Sequence, residues 1–377
     1  MSKSVLLANQ STGYLMVDIV NAYVRSGKYD SVELFAGEIN IRPSVPDSSV
    51  HVIKTVKYDK SSTLKRLLTW VAAFVHLLWV VWRRGKHCHL VLVSNPPLNV
   101  FVPLFTRKKF SFIVYDLYPD SLFSQGFVKR NSFLGRWWMT KNKQIFAKAD
   151  CVFTLSEDMK KAVGQYVAED KIKIVYNWAH NEHMRPIDKK ENVFLADLKL
   201  QDKFIVLYSG NMGMTHDVDM LVDVADRLKE NKTIHFLFIG EGAKKPIVEA
   251  KVARYGLENC LVLPYQPLEV LPFSMGAADL AVVTTDAKQS GLSVPSKTYT
   301  YLATGAALLC LAEENTELAR LTRERRIGRC FVSQDLDGIA GYIQQMVSDR
   351  RLLQEYKDNS RTTSLMYTPK NAQQYVL

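Results

Sequence analysis

The sequence has few cysteines and no segment that indicates export. Its five cysteines, at positions 88, 151, 260, 310 and 330, form no CxxC pair, so neither a zinc ribbon nor a thioredoxin motif is predicted. Isolated thiols in apolar runs are typical of buried cysteines in a reducing compartment. The apolar run at the N-terminus is too short for a signal peptide and predicts a first strand. We therefore expect a cytoplasmic protein without a disulfide framework or a metal site.

Acidic residues are scarce in two segments that are rich in basic residues. The chain has 49 Lys and Arg against 38 Asp and Glu, a formal net charge of +11. Residues 54–86 contribute +7 and residues 121–149 contribute +6, so the remainder sums to −2. The same two segments hold five of the six tryptophans. Because tryptophan is enriched at membrane surfaces, this combination predicts an anionic bilayer partner and not nucleic acid. The residues predicted to face the membrane are Trp70, Trp79, Trp82, Arg83, Arg84, Trp137 and Trp138.

Apolar runs of strand length alternate with longer helical stretches along the chain. One series runs from Val5–Ala8 to Ile172–Tyr176, and a second from Phe204–Ser209 to Ala307–Leu311. The later runs are continuously apolar, which is typical of parallel strands that are buried on both faces. The alternation indicates an α/β fold, and its repetition predicts two Rossmann-like domains, at 1–180 and 190–355. The polar stretch 177–203 between them is interpreted as a linker.

The segment Leu67–Trp82 is nearly all apolar and has basic residues at both ends. As a helix it would be about 24 Å long, shorter than the ~30 Å hydrocarbon core of a bilayer, so spanning is not expected. A helix that is apolar on all sides lies in a protein core or in lipid. Both interpretations remain open, and the second basic, tryptophan-rich segment favours a helix that dips into one leaflet.

Two glycine turns follow predicted strands in the second half of the chain. Phe204–Ser209 runs into a turn at 210–213, and the next strand ends in Gly-Glu-Gly at 240–242. Backbone amides in such turns bind phosphate without a side chain, and ligands of doubly wound sheets bind at the carboxyl ends of strands. The turns therefore predict a nucleotide phosphate site, although a glycine turn without a ligand has the same sequence signature.

The predicted helix start at Pro295-Ser296 is a third element that is expected to bind phosphate. Proline and serine are favoured at the first positions of helices, which places Lys297 in the first turn. A cation there opposes the helix dipole unless an anion joins it. A bound phosphate would remove that conflict, so Lys297 is predicted to contact one.

In order along the chain, these motifs resemble the retaining GT-B glycosyltransferases of family 4. The C-terminal half carries YSGNMG (208–213), FIGEG (238–242), LPYQP (263–267) and SVPSKTYTYLATGAALL (293–309), and the N-terminal half carries SNPPL (94–98) and YDLYPDSL (115–122). The resemblance covers about residues 1–360 and is greatest to the WbuB-like branch that builds O-antigen and capsule repeat units. It implies a GT-B fold, with two Rossmann-like domains facing across a cleft and residues 356–377 returning to the first domain.

The resemblance also implies roles for individual residues. The glycine turn and Pro295–Thr300 would bind the donor diphosphate, and Tyr265–Pro267 would bind the nucleotide base. The implied catalytic residues are Asp116, Asp120 and Lys297. The implied donor-binding residues are Gly210, Asn211, Met212, Gly213, His216, Gly240, Glu241, Tyr265, Gln266, Pro295, Ser296, Lys297 and Thr300. On the acceptor side they are Gly13 and Asn95.

The sequence departs from the family pattern at three of these positions. Thr300 stands where family members carry a Glu for the ribose hydroxyls, Asn211 where they carry an Arg, and His216 where they carry a Lys. Two formal positive charges are therefore missing where a diphosphate leaves. We expect Lys297, His216 and the amides of the turn to stabilise that charge instead.

The implied function is transfer of a sugar, such as an N-acetylated amino sugar, from a UDP-linked donor to an undecaprenyl-diphosphate-linked acceptor. The reaction would need no metal or other cofactor and would take place on the cytoplasmic face of the inner membrane. Two alternatives remain: a nucleotide-sugar 2-epimerase of the same fold, which needs no lipid-facing helix, and a catalytically degenerate scaffold. A hydrolase with Asp116 and Asp120 as its carboxylate pair, and a nucleic-acid binder, are more distant possibilities.

Overall fold

The computed structural model describes residues 3–40, 43–59, 61–214, 216–284 and 295–377, and every element below lies within these ranges. The chain forms two compact units. Unit 1 extends to Asn177 and includes Pro369–Leu377, and unit 2 contains the described residues from Trp178 to Thr368. The implied position of Ser293 and Val294 in the donor site lies outside the described residues.

Unit 1 is built on a parallel sheet of seven strands in the order β5-β3-β1-β6-β7-β8-β9, with a separate two-stranded pair, β2-β4. Its strands are β1 Ser4–Ala8, β2 Ser11–Thr12, β3 Ser31–Ala36, β4 Glu38–Ile39, β5 His51–Lys54, β6 Cys88–Val93, β7 Phe110–Ile113, β8 Cys151–Thr154 and β9 Ile172–Ile174. Its helices are α1 Tyr14–Arg25, α2 Thr63–Arg83, α3 Asp120–Ser124, α4 Phe133–Phe146 and α5 Glu157–Gly164, with 3₁₀ helices at Pro97–Phe105, Glu169–Lys171 and Pro369–Tyr375.

Unit 2 is built on a parallel sheet of six strands in the order β12-β11-β10-β13-β14-β15. Its strands are β10 Phe204–Ser209, β11 Ile234–Ile239, β12 Cys260–Leu263, β13 Leu280–Thr284, β14 Ala307–Leu311 and β15 Gly328–Phe331. Its helices are α6 Val193–Asp197, α7 Met220–Arg227, α8 Lys245–Tyr255, α9 Leu271–Met275, α10 Lys297–Thr304, α11 Glu317–Glu324, α12 Leu336–Ser348 and α13 Arg350–Ser364.

The predicted α/β class and parallel sheets are confirmed. The central strands β10 and β14 are buried along their whole length, which is why they appear as continuous apolar runs. The sequence analysis missed β15 because this edge strand is only partly buried and contains Arg329. It also missed the pair β2-β4, whose strands have two residues each and carry no pattern.

The stretch after Asn177 is not a loose linker. Trp178 is completely buried, and Lys189 forms an ion pair with Asp279 within unit 2. Asn192 caps α6, accepting a hydrogen bond from the Leu195 amide at 3.2 Å. The polar residues that suggested a linker are therefore partners of buried groups and helix ends.

The C-terminal part of the chain is divided between the two units. Helix α13 belongs to unit 2, whereas Pro369–Leu377 belongs to unit 1, so the return to the first unit begins later than residue 356. The Tyr23 hydroxyl donates a hydrogen bond to the Tyr375 carbonyl at 2.7 Å, and the Tyr375 ring lies 4.9 Å from that of Phe153. The end of the chain is thus a buried part of unit 1.

Helix α2 packs on the core of unit 1 with one face only. Ala73, Leu77, Val80 and Val81 form its buried face. The opposite face is a row of exposed apolar side chains at intervals of three or four residues, here named the α2 stripe: Leu64, Leu68, Val71, Val75, Trp79 and Trp82. Only 22% of the most apolar 18-residue window is buried, so the interpretation as a core helix is wrong.

The length predicted for this helix is also wrong. It has 21 residues, about 32 Å at 1.5 Å per residue, because it extends beyond the apolar run at its N-terminal end. Among the described residues, it is the one helix that is long and apolar enough to cross a bilayer. Its buried face is the feature that distinguishes it from a lipid-surrounded span.

The carboxyl ends of β10 and β11 touch through their backbones. Gly240 has a φ of +147°, and a Cβ placed on it would lie 1.9 Å from the Gly210 carbonyl oxygen. A Cβ on Gly242, whose φ is +142°, would lie 2.5 Å from the Met212 oxygen. The Gly210 amide donates to the Ile239 carbonyl at 2.8 Å. Glycine is therefore required at this edge by both φ and space.

Replacing Gly240 by Ala should lower the free energy of unfolding by at least about 2 kcal/mol, because the new methyl group meets backbone in a strained conformation. The measurement is urea unfolding followed by circular dichroism. Gly341→Ala in α12 is the matched control, since a Cβ there meets nothing within 4 Å. Equal stability of the two variants would show that the β10 and β11 ends are not in contact.

Candidate active site

The turn after β10 is held by backbone hydrogen bonds from the neighbouring strand end. Gly210 has a φ of +143°, and the Met212 amide donates to the Glu241 carbonyl at 2.8 Å. The Met212 side chain is completely buried in the core of unit 2, whereas Asn211 is exposed. The turn therefore offers backbone and the Asn211 side chain to a ligand, and Met212 serves to anchor it.

Lys297 is the charged group nearest to this turn. It is the first residue of α10, after Pro295 and Ser296 as predicted. Its Nζ lies 4.2 Å from the centroid of the Tyr208 ring and 2.8 Å from the position that a Cβ on Gly210 would occupy. This Nζ is buried and has no hydrogen-bond partner among the described residues. Burial lowers the pKa of Lys297 to about 8, because a charged amine loses hydration there.

His216 and Tyr208 converge on one carbonyl of the turn. The Tyr208 hydroxyl donates to the Asn211 oxygen at 2.6 Å, and His216 Nδ1 lies 2.8 Å from the same oxygen. Since a carbonyl only accepts hydrogen bonds, the contact assigns a proton to Nδ1. The imidazole thus lies beside the glycine turn, where the resemblance implied it.

The loops after β11 and β12 bring the remaining implied donor residues to the same edge. Tyr265 is 53% exposed. Partial burial raises its pKa, while a hydrogen bond from the Glu241 backbone acts in the other direction. The Glu241 carboxylate accepts from Lys245 at 2.7 Å, and Gln266 Nε2 donates to the Pro264 carbonyl at 2.9 Å. Thr300 is half-buried on α10, one turn after Lys297.

One pair of carboxylates near the turn has the Asp-x-Asp spacing of a metal motif. Lys244 Nζ lies 2.6 Å from Asp219 and 3.7 Å from Asp217, and Lys251 also contacts Asp219. The lysines neutralise both carboxylates. In the part of the chain that the structure describes, no three His, Cys, Asp or Glu side chains are grouped to hold a metal ion.

Unit 1 contains a separate pocket of about 220 Å³. Gly13 and Asn95, the two residues implied on the acceptor side, both line it. Its remaining walls are Asn9, Ser11, Tyr14, Leu15, Met16, Tyr58 and Tyr115. Amide, hydroxyl and aromatic groups together suit a polar ligand with a carbon ring. We name it the unit 1 pocket.

Asp116 lies against the wall of the unit 1 pocket. Its carboxylate accepts a hydrogen bond from Asn95 Nδ2 at 3.4 Å. The Ser94 hydroxyl oxygen accepts from the Tyr115 and Asp116 amides, at 3.1 and 3.2 Å. Burial raises the pKa of Asp116, against the hydrogen bond from Asn95. Titratable groups with perturbed pKa values beside a pocket are candidates for functional residues, and Asp116 is one of them.

Asp120 is placed differently. This buried carboxylate begins α3 and accepts hydrogen bonds from the Tyr166 hydroxyl at 2.5 Å and from Gln165 Nε2 at 3.2 Å. Arg130 lies 3.7 Å from it. Both oxygens are thus used in joining α3 to α5 and the loop after it. The geometry favours a structural role for Asp120 and leaves Asp116 as the carboxylate beside the pocket.

The sequence analysis missed the aromatic wall of the unit 1 pocket. Tyr14, Tyr58 and Tyr115 come from three separate segments, so no local motif contains them. Only Tyr115 lies in a motif quoted above, YDLYPDSL at 115–122. No sequence motif marks Tyr58, because its place in the pocket depends on the path of the loop after β5.

The residues predicted to face a membrane divide into two sets. The exposed set is Trp79, Trp82, Arg83 and Trp137. Trp70 and Trp138 are half-buried. Arg84 donates to both carboxylate oxygens of Glu33, at 2.7 and 3.0 Å, so its charge is already paired within unit 1.

Comparison with known proteins shows which enzymes the chain is similar to. Residues 190–363 match the family model of glycosyl transferases group 1. The chain is 28% identical over 336 residues to the probable glycosyltransferase WbjE of Pseudomonas aeruginosa, covering 85% of this chain and 82% of WbjE. It is 29% identical over 200 residues to WcaI of Escherichia coli strain K12, a putative colanic acid biosynthesis glycosyl transferase, covering 52% of this chain and 49% of WcaI.

Among solved structures, HepE of Anabaena in complex with UDP superposes with a TM-score of 0.71, over 99% of this chain and 97% of HepE, at 12% identity. That likeness and the two parallel Rossmann-like sheets define the fold as GT-B. Residues 190–363 thus resemble glycosyl transferases of group 1, and the whole fold is that of the GT-B enzymes.

Replacing Tyr166 by Phe should lower the free energy of unfolding by about 1.5–3 kcal/mol, because a buried carboxylate loses a hydrogen bond. Asp116→Asn should leave stability unchanged or raise it, since burial disfavours the charged form of that group. Urea unfolding measures both. Tyr265→Phe, which alters a mostly exposed side chain, is the control. A destabilised Asp116→Asn with a stable Tyr166→Phe would reverse the two roles.

Proposed function

We propose that this protein is a retaining, metal-independent glycosyltransferase that moves a sugar from a UDP-linked donor to a lipid-linked acceptor in surface polysaccharide biosynthesis. An N-acetylated amino sugar is the donor sugar that the WbuB-like resemblance favours. The observation that carries the proposal is the buried Lys297 ammonium at the glycine edge of unit 2, without a counter-ion among the described residues.

The donor half of the proposal follows from the charge balance at that edge. A cation removed from water is costly unless an anion pairs with it. A diphosphate between Lys297 Nζ and the amides after β10 would supply the anion, and the developing negative charge would strengthen these contacts as the diphosphate leaves. Lys297 and the turn provide positive charge that a metal supplies in other enzymes. UDP as the nucleotide is supported by the HepE complex with UDP, at the level of the shared fold.

Asp116 is the residue we assign to the transferred sugar or the acceptor hydroxyl. It lies beside the unit 1 pocket, where Asn95 orients one of its oxygens. A carboxylate with a raised pKa can hold a proton near neutral pH more readily than an exposed one. The departures at Thr300, Asn211 and His216 remove family side chains but leave the Lys297 amine in place, which favours an active enzyme over a degenerate scaffold.

The acceptor half rests on the surface of unit 1. Helix α2 is linked to α4 through the 3₁₀ helix between β6 and β7: the Phe74 ring lies 6.1 Å from Phe105, and Phe101 lies 5.6 Å from Trp137. Phe105 and Phe133 are exposed by 64% and 84%. Exposed apolar side chains on this scale mark an interaction surface.

Basic residues around this apolar surface select an anionic partner. The guanidinium of Arg83 lies 4.3 Å from the Trp79 ring centroid, and the surrounding segments carry net charges of +7 and +6. Apolar side chains inserted among lipids, with cations at the headgroups, match an anionic leaflet. A peripheral position on the cytoplasmic face of the inner membrane brings the enzyme to a lipid-linked acceptor, and it favours a transferase over a soluble epimerase.

Lys297→Ala should weaken UDP binding about 10- to 100-fold, as expected for the loss of a charge-assisted hydrogen bond. For the intact protein, the Kd for UDP should be constant below pH 8 and rise above it, approaching tenfold per pH unit. The free amine has a pKa of about 8, and bound diphosphate favours its charged form. Titration calorimetry between pH 7 and 9, with EDTA present, measures both effects.

The control for that titration is the variant itself. Lys297→Ala should show no rise of Kd above pH 8, and Lys245→Ala, which removes a lysine paired with Glu241, should keep the intact protein's profile. A Kd that is independent of pH in the intact protein, or full affinity in Lys297→Ala, would refute the donor site.

The double variant Val75→Glu and Trp82→Glu should bind vesicles of phosphatidylglycerol at least tenfold more weakly than the intact protein. Each change replaces an exposed apolar side chain of the α2 stripe by a charge that lipid excludes. Flotation measures the bound fraction. Val193→Glu, at an exposed position of unit 2, should float like the intact protein. Unchanged flotation of the double variant would exclude α2 as the membrane contact.

A further inference from the structure

The N-terminal end of α2 carries an arginine without a carboxylate partner. Arg66 is exposed, and no ion pair joins it to an acidic side chain in the described ranges. Its guanidinium lies 5.6 Å from the centroid of the Trp70 ring, one turn further along the helix. A guanidinium that contacts a ring keeps the N–H donors at its edge available for an anion.

Trp70 connects this arginine to the unit 1 pocket. Its ring stacks on Tyr58 at a centroid distance of 5.9 Å and an interplanar angle of 28°, and Tyr58 lines the pocket together with Asn95. Burial raises the pKa of Tyr118, the charge of Asp116 adds to this rise, and the charge of Arg66 opposes it. Arg66 is therefore joined to the pocket wall through Trp70 and Tyr58.

The α2 stripe and Arg66 lie on opposite sides of the helix. With 100° per residue, the α2 stripe lies around one direction, whereas Arg66 and Trp70 follow the buried face of Ala73 and Leu77. From Arg66, contacts through Trp70 and Tyr58 lead to the polar and aromatic wall of the unit 1 pocket.

We propose that Arg66 binds the diphosphate of the lipid-linked acceptor, with the lipid chain toward the α2 stripe and the first sugar in the unit 1 pocket. This inference rests on the proposed function, which it makes specific by giving the acceptor's charged group a binding residue. Arginine suits the task because its fork of donors meets two phosphate oxygens at once. Arg66 is thus assigned to the acceptor and Lys297 to the donor.

The test uses geranyl diphosphate, a short prenyl diphosphate that is soluble in water. Geranyl monophosphate is its less charged analogue and geraniol its uncharged one. In calorimetry the intact protein should bind the diphosphate best and geraniol least. Arg66→Gln should weaken binding of the diphosphate at least tenfold and leave UDP binding unchanged. Arg66→Lys should be intermediate, because it keeps the charge but not the planar fork.

Matched variants separate this inference from its alternatives. Arg83→Gln removes the arginine at the other end of α2, which contacts Trp79, and should bind geranyl diphosphate like the intact protein. Lys297→Ala should lose UDP and keep geranyl diphosphate. If the intact protein binds geranyl diphosphate but not UDP, the donor assignment fails while the Arg66 site stands.

Three results would overturn the Arg66 site. The first is an intact protein that does not bind geranyl diphosphate, and the second is Arg66→Gln that binds it with full affinity. The third is that Arg66→Gln weakens flotation on phosphatidylglycerol vesicles, without any prenyl phosphate, as much as it weakens binding of geranyl diphosphate. That result would make Arg66 a contact for lipid headgroups. An unfolding temperature equal to that of the intact protein would confirm that Arg66→Gln is folded.

Discussion

The donor edge of unit 2 depends on the close approach of two strand ends. The backbone of Gly240 touches that of Gly210, and this contact leaves no room for side chains between the turns. The edge is therefore formed by backbone, and Lys297 places a buried ammonium beside it. The cost of burying that charge makes the site ready for an anion before any ligand arrives. Fold and chemistry are thus set by the same backbone contact.

The two units use positive charge in different ways. In unit 2 Lys244 is paired with Asp219 and Lys245 with Glu241, whereas the buried Lys297 amine has no hydrogen-bond partner among the described residues. In unit 1 the excess charge is spread over the segments that carry the exposed tryptophans. A concentrated charge selects one small anion, whereas a dispersed one adapts to a fluid surface of many headgroups.

The sequence predicted those features that arise from local pattern. The apolar run Phe204–Ser209 is β10, and Pro295-Ser296 marks the start of α10, because strand burial and helix starts leave signatures over a few residues. It could not separate the roles of Asp116 and Asp120, four positions apart. Asp120 is held by Tyr166, which is 46 residues away, and no local pattern records such a pairing. The start of α2 was predicted too late in the sequence for a related reason: its first turn is largely polar and is fixed by the Ser62 cap.

The exposed face of α2 has a practical consequence for the isolated protein. Away from lipid, six apolar side chains in one row meet water, and surfaces of this kind bury themselves against one another. A preparation without detergent or lipid would then lose material to self-association in proportion to its concentration. The surface that we propose for contact with the membrane would also limit how concentrated a lipid-free solution of the protein can become.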